Sequence, residues 1–66
     1  MDIFLNGEPR EIDDAATLFD LLAATGNAER RIAVEVNREI VPRSRHAAHR
    51  LQAGDRVEIV HAIGGG

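Results

Sequence analysis

Apolar and polar residues alternate in several short segments of the chain, which predicts β-strands. The first such segment is residues 2–6, and Asn6-Gly7 follows it. This dipeptide favours a two-residue hairpin turn, because both central positions of such a turn need a positive φ. Residues 8–12 are then the returning strand. Pro9 places that strand at the edge of a sheet, since proline has no N–H to donate to a neighbouring strand.

A helical pattern follows the hairpin. Thr17 can cap a helix, and Asp20 lies in its acidic first turn. The leucines between Thr17 and Gly26 recur at helical spacing, and Gly26 accepts the left-handed backbone that ends many helices. The pattern predicts a helix of about ten residues, about 15 Å long. Its single apolar stripe requires a sheet to pack against.

The rest of the chain predicts three further strands. Residues 31–37 alternate again, a short strand around residues 39–41 ends at Pro42, and the final strand begins at Arg56 and runs to about Ile63. Between them, residues 43–54 are polar and are expected to be irregular or to form a single helical turn.

This element order predicts an α+β fold of the β-grasp type, with a mixed sheet of four to five strands packed on one helix. The first and last strands would lie side by side in its middle. We expect one domain over residues 1–63 and a flexible tail over residues 64–66. The predicted core consists of Ile3, Leu5, Ile12, Leu18, Leu21, Leu22, Ile32, Val34, Val36, Leu51, Val57 and Ile59.

Composition narrows the function. The chain has 66 residues, 8 basic against 11 acidic side chains and a net charge of −3, which argues against a nucleic-acid or anionic-membrane binder. Cysteine is absent, which removes disulfides, thiolate metal sites and cysteine nucleophiles and fits a cytoplasmic setting. We expect no membrane span and no signal segment. A chain this short has little room for an enclosed active site, so an independent enzyme is not expected.

Three of the six glycines are the last three residues, Gly64, Gly65 and Gly66. Glycine has no Cβ, so such a segment can thread a narrow channel. The reactive group that it carries is the α-carboxylate of Gly66, which needs activation as an acyl phosphate or acyl adenylate before it can accept sulfur or an amine. The alternative is a frayed or added terminus without a role.

A candidate docking surface follows from strand parity. If Val57 and Ile59 face the helix, then Val60 faces outward together with Phe4 and Ala33. We expect these three to be neighbours on the open face of the sheet, with Ala62 continuing the row toward the tail. The alternative is that an exposed phenylalanine has no special meaning.

The segment from Arg38 to Arg50 carries most of the remaining chemistry. Its four arginines could steer an acidic partner, or they could be an ordinary solvated loop. His46 and His49 are three residues apart, but no third ligand is indicated nearby, so no metal site is expected. No catalytic triad, phosphate loop or nucleotide-binding motif is present.

Several segments together resemble the ThiS family, the sulfur carriers of thiazole formation in thiamine biosynthesis. The resemblance covers essentially the whole chain and is carried by IFLNG at residues 3–7, TLFDLL at 17–22, VEVNREIVPR at 34–43, GDRVEIV at 54–60 and the glycine end. The family is ubiquitin-like in fold, which agrees with the β-grasp prediction. Its members commonly end in Gly-Gly, whereas this chain has a third glycine, so Gly64 is either part of the active tail or a spacer.

The resemblance implies a reaction cycle. A ThiF-type activating enzyme would adenylate the Gly66 carboxylate with ATP and Mg²⁺, and a persulfide sulfur would displace AMP and leave a terminal thiocarboxylate. The tail would then enter a ThiG-type thiazole synthase and donate its sulfur. The chain itself would bind no cofactor and would be a co-substrate rather than an enzyme.

Two other readings are weighed against this one. A molybdopterin-synthase small subunit or another thiocarboxylate carrier would share the fold and the tail, although those relatives tend to be longer. A non-conjugating β-grasp adaptor would share the fold and have a passive tail.

Overall fold

The computed structural model describes residues 1–28 and 31–61. Its elements are β1 (Asp2–Leu5), β2 (Glu8–Glu11), α1 (Leu18–Ala24), β3 (Ile32–Val36), β4 (Glu39–Ile40), a short 3₁₀ helix (Arg43–Arg45) and β5 (Arg56–His61). Across these residues, no helix has the length and hydropathy needed to cross a membrane.

The predicted hairpin is confirmed. Asn6 and Gly7 both have a positive φ, 51° and 85°, and β1 and β2 pair antiparallel on either side of them. Pro9 lies in β2, which is an edge strand, and it pairs with Phe4 of β1. Its missing N–H therefore costs no hydrogen bond within the sheet.

The helix begins as predicted and ends earlier. The Thr17 side chain accepts from the Asp20 N–H at 3.1 Å, and the Asp20 carboxylate accepts from the Thr17 N–H at 2.9 Å, which forms a capping box. The helix has seven residues instead of the expected ten. At the end of the helix, the Thr25 hydroxyl donates a hydrogen bond to the Leu21 carbonyl oxygen at 2.9 Å. The chain then turns at Gly26, which has a φ of 77°.

The sheet order is β2-β1-β5-β3-β4, with β1 and β5 parallel and the other neighbours antiparallel. The first and last strands are thus adjacent in the middle, and the β-grasp prediction is confirmed. A turn at Asn37-Arg38 joins β3 to β4, with both residues at positive φ. Residues 62 and 63, which the sequence assigned to the last strand, lie outside the described residues.

The core lies between the helix and one face of the sheet. Nine of the twelve predicted core residues are buried, and the other three, Leu5, Ile12 and Ile32, are half-buried at the margin of the core. Val41, which was not predicted, is buried after β4, and His46 is buried beside the apolar residues. The buried apolar set is Ile3, Leu18, Leu21, Leu22, Val34, Val36, Val41, Leu51, Val57 and Ile59.

Candidate docking surface and glycine tail

The end of β5 fixes the point after which the glycine tail follows in sequence. His61 is the last described residue, and it pairs with Ile32 at the start of β3. Its Nε2 lies 3.2 Å from Oδ1 of Asn27, which follows the helix. Ala62, Gly64, Gly65 and Gly66 lie outside the described residues. Covalent geometry limits the five residues after His61 to a reach of about 17–18 Å.

Two of the predicted docking residues are direct neighbours. Ala33 of β3 and Val60 of β5 are partners in the antiparallel ladder, and both side chains are on the face of the sheet opposite the helix. Val60 is 56% exposed, which is high for a valine in a central strand. This apolar pair lies one residue before the point where the described chain ends.

Phe4 is not a neighbour of Val60, and that expectation was wrong. In the parallel ladder Phe4 pairs with Arg56, four residues before Val60 on β5. Four residues of strand separate them by about 13 Å along the sheet. The Arg56 guanidinium lies 4.9 Å from the centre of the Phe4 ring, a distance that allows a cation–π contact. Phe4 is on the predicted face but at the other end of it.

Ile40 joins the exposed apolar surface instead. It pairs with Glu35, so its side chain is on the open face, and it is 72% exposed. Ala33 lies two residues from Glu35 on the same face of β3, which makes it a diagonal neighbour of Ile40. We call Ala33, Ile40 and Val60 the open-face patch. A two-residue strand carries too little alternation for the sequence to assign Ile40 to a face.

The basic segment is mostly solvated. Arg38, Arg43, Arg45 and Arg50 are all exposed, and among the described residues the guanidinium of Arg43 donates to the Ala28 carbonyl at 3.3 Å. Arg38 lies in the turn before β4, Arg43 and Arg45 are in the 3₁₀ helix, and Arg50 follows it in the chain.

The two histidines of that segment have different surroundings. His46 is 5% exposed and its Nε2 lies 3.0 Å from the Val41 carbonyl oxygen, whereas His49 is half-buried at the surface. Because a carbonyl only accepts, the Nε2 of His46 carries a proton. Among residues 1–28 and 31–61, no three His, Asp or Glu side chains are grouped closely enough to hold a metal ion.

Comparison with known proteins agrees with this geometry. The chain matches the model of the ThiS family over residues 3–66. It is 30% identical over 66 residues to the sulfur carrier protein ThiS of Escherichia coli, covering all of both chains, and 40% identical over 53 residues to that of Bacillus subtilis, covering 80% of each. A crystal structure of the thiamine biosynthesis protein ThiS from Geobacter metallireducens superposes with a TM-score of 0.86 at 32% identity, over 100% of both chains.

Longer relatives match as well. The chain is 46% identical over its whole length to a Magnetococcus marinus protein named thiazole synthase and 44% identical to one from Paramagnetospirillum magneticum. It spans about a fifth of the length of these two relatives, 20% of each.

Proposed function

The chain belongs to the ThiS family, and from that premise we propose that it is a sulfur carrier for thiazole formation in thiamine biosynthesis. The group that carries sulfur is the terminal carboxylate of Gly66. The observation that carries the proposal is the extent of the family match, which runs through the three glycines to residue 66 on a β-grasp domain. The comparisons therefore favour this reading over a molybdopterin-synthase subunit.

The chemistry follows from the weakness of a carboxylate as an electrophile. The Gly66 carboxylate attacks the α-phosphorus of ATP, bound with Mg²⁺ in a ThiF-type enzyme, and pyrophosphate leaves. The terminal sulfur of a persulfide then attacks the acyl carbon and AMP leaves. Cleavage of the resulting S–S bond by a thiol gives the thiocarboxylate. In this cycle the chain is a co-substrate, and the setting we propose is the cytoplasm.

The enzyme that uses the sulfur is, in this proposal, a ThiG-type thiazole synthase. The two relatives named thiazole synthase support this, because each contains a segment similar to this chain within a longer protein. A carrier with a short tail has to dock close to the active site that it serves. The reach of about 17–18 Å beyond His61 sets that limit.

Shortening the tail tests the proposal against a passive adaptor. We expect removal of Gly65 and Gly66 to abolish thiocarboxylate formation by the ThiF-type enzyme, because the remaining Gly64 carboxylate falls about 7 Å short. The shortened chain should still bind and should inhibit the full-length chain. Removal of one glycine is the matched control, since it leaves the Gly-Gly end common in the family. An adaptor is indicated instead if the chain lacking two glycines supports thiazole formation as well as the full chain does.

A further inference from the structure

Two carboxylates face each other on the open side of the sheet. Glu35 of β3 and Glu58 of β5 are direct partners in the antiparallel ladder. Glu58 is exposed and Glu35 is half-buried. Side chains in such positions have Cβ atoms about 4.5–5.5 Å apart, and like charges there destabilise a sheet. The fold therefore maintains a repulsive pair at its centre.

Neither carboxylate is neutralised within the described part of the chain. No ion pair or hydrogen bond to either side chain is present among residues 1–28 and 31–61. Arg56 lies two residues before Glu58 on the same face, but its guanidinium is over the Phe4 ring at 4.9 Å. The negative charge of the pair thus remains directed outward.

The glutamate pair borders the open-face patch. Ile40 is the partner of Glu35, and the Ala33–Val60 pair is the next pair on the same face of β3 and β5. Protein interfaces commonly combine an apolar core with polar and charged groups at its rim, and the open-face patch and the glutamate pair beside it supply both. Val60 of the patch immediately precedes His61, after which the tail follows in sequence.

The short tail brings the activating enzyme, the first enzyme that must reach Gly66 in the proposed cycle, close to this end of the molecule. If Gly66 is to be adenylated, the active site of the activating enzyme must lie within about 17–18 Å of His61. A stable interface covers about 800 Å² of each partner, and an interface of that size around the start of the tail extends onto the neighbouring open-face patch when the enzyme approaches from that side. The planar guanidinium group can bind two carboxylates at once, which a compact ammonium does less well.

We propose that Glu35 and Glu58 together bind an arginine side chain of the activating enzyme, while the open-face patch packs around that contact. This inference rests on the proposed function and specifies how the carrier is recognised. Binding relieves the repulsion within the sheet, so the pair lowers stability in the free carrier and contributes affinity in the complex.

The test replaces each carboxylate by its isosteric amide. For Glu35→Gln and Glu58→Gln, we expect the KM of the carrier in the ThiF-type enzyme's pyrophosphate-release reaction to rise about tenfold, with kcat at saturation unchanged. The Tm of both variants should equal or exceed that of the parent chain, because a like-charge contact has been removed. Higher stability together with weaker recognition separates this mechanism from damage to the fold. Glu8→Gln, on the distant edge strand β2, is the control for net charge and should leave KM unchanged.

The outcomes are distinct. If the parent chain is adenylated and the KM of both variants is unchanged, or rises only as much as that of Glu8→Gln, the inference is wrong and the proposed function stands. If the parent chain is neither bound nor adenylated, both are wrong. If sedimentation shows that the parent chain is a dimer and that the amide variants are monomers, a second copy of the chain occupies this face and the inference is overturned.

Discussion

At the scale of single residues, His46 shows why a histidine pair is weak support for a metal site. Its ring is 5% exposed and its Nε2 lies 3.0 Å from the Val41 carbonyl oxygen, while its own carbonyl accepts from the Phe19 N–H at 3.0 Å. The side chain thus satisfies a carbonyl between β4 and the 3₁₀ helix, and the main chain joins that segment to α1. The role of His46 is structural.

Replacing His46 by alanine should cost about 1–3 kcal/mol of unfolding free energy, because the Val41 carbonyl loses its partner and the core loses volume. Urea unfolding followed by circular dichroism measures this. The control is His49→Ala, which removes a half-buried ring with no side-chain hydrogen bond among the described residues, and we expect it to cost less. Equal losses for the two variants would show that the buried contact contributes nothing of its own.

At the scale of elements, asparagine side chains complete the pairing of β5. β1 ends at Leu5, and the Asn6 Oδ1 then accepts from the Ile59 N–H at 2.8 Å, where a longer β1 would have supplied a carbonyl. At the start of β5, the Asn37 Oδ1 accepts from the Arg56 N–H at 2.9 Å. Both hairpin turns are thereby joined to the strand that leads to the tail.

The Asn37-Arg38 turn carries strain that a substitution can remove. Arg38 has a φ of 70°, a region that costs a residue with a Cβ about 1–2 kcal/mol and costs glycine little. Glycine also loses about 0.5–1 kcal/mol more chain entropy on folding than alanine does, so we expect Arg38→Gly to be about 0.5–1 kcal/mol more stable than Arg38→Ala, which removes the same charge and keeps the Cβ. Urea midpoints of the two variants test this. A glycine variant no more stable than the alanine variant would contradict the strain.

At the scale of the whole molecule, the sequence predicts the fold better than it predicts the surface. Asn6-Gly7, the Thr17–Asp20 capping box and the alternation in β3 and β5 act locally, so the hairpin, the helix start and the core could be predicted. The register between β1 and β5 could not be predicted in the same way, because the two strands are distant in sequence and their parallel pairing depends on the packing of the whole domain. Strand parity alone therefore predicts that Phe4 lies beside Val60, whereas its partner in the structure is Arg56.

In the proposed function, sulfur is carried on the terminal carboxylate of Gly66. The most direct measurement is the intact mass of the full chain after incubation with the ThiF-type enzyme, Mg²⁺-ATP and a persulfide donor, followed by fragmentation to locate the change. We predict exchange of one oxygen for one sulfur, confined to Gly66 and dependent on ATP. An unchanged mass, or sulfur found on any other residue, would contradict it.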